Sequence, residues 1–155
     1  MKREEAKKKI SRWLSQETQW KVQPTGNDPN YYFVWDVELG DIPAAICIEK
    51  KVNRVDIIGN VSFEEYDKTA YKLTRDKHLF WSNLKMNTIP LGVIAKALPS
   101  VEELENMQFT KMIYFDALTQ DNLINMLIRV ADTLEIAGFI FRRFVESLER
   151  QRQDS

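Results

Sequence analysis

Asp36, Glu49 and Lys51 are the residues whose types and spacing could do chemistry together. Asp36 lies towards the end of one strand-like run, and Glu49 ends the next one after twelve intervening residues, with Lys51 two positions further on. Two carboxylates can hold a hard divalent cation, and a nearby lysine can position or polarise an attacking water. If the two strands bring these side chains together, the sequence predicts a divalent-metal site.

The same pattern resembles the D…ExK class of metal-dependent nucleases, in which a helix and strands also precede the two acidic positions. The resemblance implies Asp36 and Glu49 as metal ligands and Lys51 beside the water. The other interpretation is exposed sheet charges, because such charges commonly line the solvent face and residues 50–53 fit a hairpin turn. With 22 basic against 23 acidic residues, no basic surplus would hold DNA, and nucleic acid is not an expected partner.

The usual signatures of an enzyme or a cofactor site are missing from the sequence. There is no Gly-rich phosphate loop, no GxSxG elbow, no HExxH motif and no cysteine pair, and the chain has only five glycines. We predict that His78 lies on a helix surface or in the core, and that Cys47 is a small buried hydrophobe. We therefore expect a non-catalytic protein without a cofactor.

Composition sets the size and setting of the fold. The 155 residues are 44% hydrophobic and 11% aromatic, which is enough for one core and predicts a single domain over residues 1–155. A single cysteine excludes an intrachain disulfide framework and suits a reducing compartment. No signal-peptide pattern and no run of roughly 20 apolar residues is present, so we expect a cytoplasmic protein without a membrane partner.

The hydrophobic periodicity predicts an α+β fold. An amphipathic helix is expected over residues 3–16, then four short strands joined by tight turns, which is typical of an antiparallel meander. A capping box of Ser62 and Glu65 predicts the start of a helix. We expect the meander sheet to be covered by the N-terminal helix and a long C-terminal helix. The later elements are predicted as helices over 62–73 and 75–86, strands over 91–98 and 107–118, a cap at Thr119, and a helix over 120–150.

The last helix contains IAGFIF, residues 136–141, which has no polar side chain. A helix stripe from Leu123 to Leu148 would face the sheet, and several apolar residues fall outside it. One interpretation is a helix buried centrally in its own fold. The other, which we favour, is a second contact surface in a twofold homodimer, with Gly138 allowing close approach. The interface candidates are Ile128, Ile136, Gly138, Phe139 and Ile140.

Nearly the whole chain resembles the type III secretion chaperone-like fold group, and within it a family of uncharacterised prokaryotic proteins. The resemblance is carried by AAICIEKKVNRVDIIGNVSF, FEEYDKTAYKLTRDKHLFWSNLKM, LGVIAKALPS, MQFTKMIYFDAL and the two flanking helices. It implies a small α+β domain, often dimeric, whose apolar grooves hold another polypeptide in extended form, and it supplies no catalytic residue. The primary hypothesis is therefore a self-associating, polypeptide-binding domain, and the alternative is a divalent-metal nuclease.

Overall fold

The computed structural model describes all residues 1–155 and confirms the predicted α+β class. Six strands form one antiparallel meander sheet with the order β1-β2-β3-β4-β6-β5. An N-terminal helix precedes the sheet strands and a long C-terminal helix follows them. The elements are α1 (Arg3–Ser15), β1 (Lys21–Gly26), β2 (Tyr31–Leu39), β3 (Ile42–Glu49), β4 (Arg54–Ser62), α2 (Glu65–Leu73), α3 (Lys77–Thr88), a 3₁₀ helix (Ile89–Leu91), β5 (Ile94–Pro99), β6 (Leu104–Tyr114) and α4 (Gln120–Gln153).

The chain divides into two compact units. The first unit combines Met1–Gly59 with Thr110–Ala131, and the second combines Asn60–Phe109 with Asp132–Ser155. Strands β4 and β6 and helix α4 each contribute residues to both units. A single domain over residues 1–155 stays a prediction.

In the first unit, α1 is attached near the start of β2 and the end of β3. The Arg3 side chain donates from Nε to the Glu49 carbonyl oxygen at 2.9 Å, and the Tyr32 hydroxyl donates to Glu4 at 2.8 Å. The Lys7 ammonium lies 4.3 Å from the centre of the Phe33 ring. The helical spacing of its apolar residues explains why one face of α1 is buried, namely Ala6, Ile10, Trp13 and Leu14.

Strands β2 and β3 are paired so that their large apolar residues share one face. Trp35 lies opposite Ile46 and Val37 opposite Ala44, and all four are buried. Residues between them point to the other face, where Asp36 is exposed. The alternation predicted from the sequence is therefore present in this pair.

Three predicted boundaries are wrong, and one of them is that β6 runs over Leu104–Tyr114 and not over residues 107–118. Ser62 does not cap α2, because β4 continues through Ser62 and the chain turns only afterwards; Glu64 is the N-cap residue and makes no side-chain capping bond. Strand β5 begins at Ile94, later than predicted, because Ile89–Leu91 form the 3₁₀ helix and Gly92 follows with a φ of 68°. That left-handed conformation favours glycine and ends the helical segment before the strand starts.

Helix α4 begins where the sequence predicts. The Asn122 backbone N–H donates to Thr119 Oγ1 at 3.2 Å, so Thr119 caps the helix. In the first unit its buried stripe includes Leu123, Leu127 and Val130. In the second unit the stripe continues with Ala137, Phe141, Val145 and Leu148, all buried. No helix of the chain, α4 included, is both long and apolar enough to cross a membrane.

Candidate binding groove

An aromatic cluster in the second unit joins α3 to the C-terminal half of α4. Phe80 of α3 lies 5.0 Å from Phe144 and 5.6 Å from Phe141 between ring centres. Tyr71 of α2 packs edge-on against Phe80 at 6.0 Å, and Phe63 stacks on Phe141 at 3.9 Å. Aromatic pairs at these separations and angles are favourable beyond the area they bury. The cluster therefore fixes the position of α3 beside α4.

The hydrogen bonds of Tyr71 hold this cluster in place. The Trp81 Nε1–H donates to the Tyr71 hydroxyl at 3.0 Å, and that hydroxyl donates to the Val101 carbonyl oxygen at 2.5 Å. Burial raises the pKa of Tyr71, although the Trp81 hydrogen bond partly opposes that rise. The phenol is thus a neutral donor linking α2, α3 and the segment before β6.

Above the cluster lies an open groove of about 730 Å³ between α3 and α4, which we call the α3–α4 groove. Its floor includes Phe80 and Phe144. Its rim carries large apolar side chains that stay in solvent: Leu79 is 70% exposed, Met86 76% and Phe139 57%. Exposed apolar side chains scattered singly are ordinary, but several around one concave surface mark a contact site.

Helical spacing explains why these side chains meet. Leu79 and Met86 are seven residues apart, about two turns of α3, so they lie on one side of that helix. That side differs from the buried one, which includes Phe80, Trp81 and Leu84. Helix α3 is therefore apolar on two sides, and only one of them is used inside the fold.

The groove also carries opposite charges. Two charged residues line the groove: Asp76, which immediately precedes α3, and Arg143 of α4. The Arg143 guanidinium carbon lies 5.6 Å from the centre of the Phe139 ring, within the range of a cation–π contact. The lining is thus apolar at its floor and polar in places at its rim, as protein interfaces are.

The interface candidates separate into two groups. Phe139 and Ile140 line the α3–α4 groove, whereas Ile136 and Gly138 do not. Ile128 is exposed but belongs to the first unit. Leu79 and Met86 were not predicted from the sequence. KHLFWSNLKMNT has more apolar residues than one helix face can hold, and this excess is the signal that could have identified them.

Gly138 needs no special explanation within the chain. A Cβ atom placed on it would meet no other atom within 4 Å, so no neighbouring segment of the chain requires a glycine there. The residue lines a smaller cleft on another side of α4, together with Tyr66, whose hydroxyl is hydrogen-bonded to Glu149. A glycine inside a helix costs about 1 kcal/mol relative to alanine, and nothing inside the chain offsets that cost.

The residues of the alternative nuclease site are not brought together as metal ligands. Asp36 lies opposite Ala45 in the β2–β3 ladder, four residues from Glu49 along β3, a separation of about 13 Å along the strand. Lys51 lies in the following turn and is exposed. No group of three or more His, Cys, Asp and Glu side chains in the chain could hold a metal ion. The nuclease function stays a prediction.

Glu49 has a structural partner instead. The Arg54 side chain contacts the Asp56 carboxylate at 2.6 Å from Nε and at 3.0 Å from Nη2, and Nη2 also lies 3.3 Å from Glu49. This bidentate pairing offsets the burial of the Asp56 carboxylate. The hydrogen bond to Asp56 is the main reason why the pKa of Arg54 is raised.

His78 and Cys47 occupy the kinds of position that the sequence predicts. His78 is an exposed residue in the first turn of α3, with its Nε2 3.6 Å from Glu102. Cys47 is buried in β3, and burial raises the pKa of its thiol to about 12. A buried thiol with a raised pKa is a poor nucleophile at neutral pH.

Comparison with known proteins identifies the family. A family model described as "Uncharacterized conserved protein (DUF2299)" matches residues 6–141, so the chain belongs to this family. The chain is also similar to a crystal structure of an uncharacterized protein from Methanothermobacter thermautotrophicus. That similarity has a TM-score of 0.78 at 18% sequence identity and covers 90% of this chain and 99% of the other. No curated protein matches the chain. The similarity to the archaeal structure shows a shared fold.

Proposed function

We propose that this DUF2299 protein is a non-catalytic, polypeptide-binding domain that self-associates through the α3–α4 groove. The observation that carries the proposal is the exposure of Leu79, Met86 and Phe139 around one groove with a packed aromatic floor. An exposed patch of this kind is a recognised mark of a protein contact surface. A role in holding another polypeptide is what the resemblance predicted from the sequence, to the type III secretion chaperone-like fold group, would imply.

A second copy of the chain is the occupant that fits the groove best. In a twofold interface both partners use the same surface. Each copy must therefore carry a protruding group and, beside it, a cavity that receives the protruding group of the other copy. Phe139 is such a protruding group, and the cavity lies beside it. Asp76 and Arg143 supply opposite charges on the same surface, and a twofold copy can therefore pair acid with base at the rim.

The test replaces Phe139 and Ile140 together with aspartate. Two carboxylates in the groove of each copy would have to be desolvated without partners on association, so we expect the dimer dissociation constant to rise at least about a hundredfold. Light scattering across a dilution series measures the change. Circular dichroism should stay nearly constant, because Phe139 is exposed and Ile140 is not fully buried.

Ile128→Asp is the control. It places one aspartate on an exposed isoleucine of the same helix, outside the groove. The control should keep the dissociation constant of the unaltered protein. If Ile128→Asp dissociates the dimer and the groove variant does not, the interface lies elsewhere on α4. If the groove variant loses its helical circular dichroism signal, Phe139 and Ile140 are needed for folding.

A further inference from the structure

Strand β5 is an end strand of the sheet. In the order β1-β2-β3-β4-β6-β5 it has β6 on one side and no strand on the other. The outer edge of such a strand presents backbone N–H and C=O groups to whatever lies beside it, which makes it a template for a further strand. β1 forms the opposite edge, and Pro24 in its middle lacks an N–H to offer.

A notch of about 460 Å³ lies at the start of β5, formed with the end of α3. Val93 is buried in its lining, whereas Ile89 and Ile94 leave large apolar surfaces exposed. The left-handed Gly92 turns the chain between them. The notch can accommodate one apolar side chain placed beside the strand edge.

Thr88 lines the same notch and carries the second observation. The residue is fully buried, and its Oγ1 has no hydrogen-bond partner. A buried hydroxyl without a partner is destabilising, so such groups are rare and call for an explanation. A ligand whose binding in the notch uncovers this oxygen would supply the missing hydrogen bond.

We propose that the outer edge of β5 binds an extended segment of another polypeptide as an added strand. The segment places an apolar side chain in the notch, a polar group within reach of Thr88, and an acidic side chain beside Lys96. This inference rests on the proposed polypeptide-binding function and assigns it a surface separate from the α3–α4 groove. Lys96 is exposed at the middle of β5. An added strand that places an acidic side chain opposite this lysine would gain a favourable cross-strand pair.

Lys96 argues against a second copy of the chain as the occupant. A second copy paired about this residue would place two lysines opposite each other, and directly opposed like charges are destabilising in antiparallel pairs. A partner strand with glutamate or aspartate at that position gains a favourable pair instead. A lysine on an edge strand is a common means of preventing identical edges from pairing.

The test uses two fluorescein-labelled peptides, SVEVEVTG and SVKVKVTG, which differ only in the sign of their charges. Anisotropy should show the acidic peptide binding about fivefold more tightly, and Lys96→Glu should reverse that preference. Thr88→Val keeps the side-chain shape and removes the hydroxyl, so it should weaken binding of the acidic peptide by about threefold to tenfold. Its thermal midpoint should not fall, because the hydroxyl makes no bond within the chain.

Amide hydrogen exchange locates the bound peptide, and saturating acidic peptide should slow exchange within Ile94–Pro99. Binding should persist in the Phe139→Asp/Ile140→Asp variant, so loss of the dimer and loss of peptide binding are separate results. The inference is overturned if neither peptide binds at concentrations up to about 1 mM. It is equally overturned if Lys96→Glu and Thr88→Val leave both affinities unchanged.

Discussion

At the scale of single residues, Cys47 shows how burial decides chemistry. Its thiol lies in β3 beside Asp56 of β4, and burial, with a contribution from nearby carboxylates, raises its pKa to about 12. A thiol must ionise before it attacks an alkylating reagent. The folded protein therefore holds Cys47 in its unreactive form at neutral and mildly alkaline pH.

We expect Cys47 to resist iodoacetamide at pH 8 in the folded protein and to react fully in guanidinium chloride, as measured by mass spectrometry. The raised pKa also predicts the sign of a pH effect on stability. From the ordinary thiol pKa of 9.0 up to about 12, the unfolded state loses its proton first, so the free energy of unfolding falls as pH rises. Rapid labelling of the native protein at pH 8 would show that the thiol is accessible.

Residue patterns predicted some local contacts and failed at others. Thr119 and the apolar residues of α4 follow rules that act within one helix, and both were predictable. Ser62 and Glu65 satisfied the same kind of rule but were predicted wrongly, because strand pairing extends β4 through Ser62. Pairing with a neighbouring strand decides where β4 ends, and the capping pattern of Ser62 and Glu65 carries no information about that strand.

At the scale of elements, α4 carries a glycine that its own surroundings do not require. We expect Gly138→Ala to raise the free energy of unfolding by about 0.5–1 kcal/mol, because alanine favours the helix and its Cβ meets no atom. Urea unfolding should be measured in the Phe139→Asp/Ile140→Asp background, where dissociation does not contribute.

The same substitution also locates the interface on α4. Gly138 does not line the α3–α4 groove, so Gly138→Ala in the otherwise unaltered chain should leave the dimer dissociation constant within about twofold, a difference below 0.5 kcal/mol. A large loss of affinity would mean that a partner packs against Gly138, and would move the interface to the cleft beside Tyr66.

The groove itself could be predicted only in part from the sequence. Phe139 and Ile140 were identified because they fall outside the apolar stripe of one helix. Leu79 and Met86 were missed, because assigning them requires knowing which side of α3 packs on the aromatic cluster. That orientation is set by the contacts of Phe80 with Phe141 and Phe144, which are distant in sequence.

At the scale of the whole molecule, the charge balance agrees with protein contacts better than with nucleic-acid binding. The net charge is −1, so no long-range field directs the chain to a polyanion. Within the fold, Arg54 forms ion pairs with Glu49 and Asp56. Surfaces that remain without a partner inside the chain include the α3–α4 groove and the outer edge of β5.

The solution mass of the unaltered protein tests the central claim most directly. Light scattering over a dilution series, first without and then with magnesium, should give twice the chain mass of 18.2 kDa at the higher concentrations. The mass should fall toward that of one chain only on dilution and should ignore the metal. A single-chain mass at every concentration would contradict self-association through the α3–α4 groove. A dimer that forms only with magnesium would contradict a metal-independent interface in this groove.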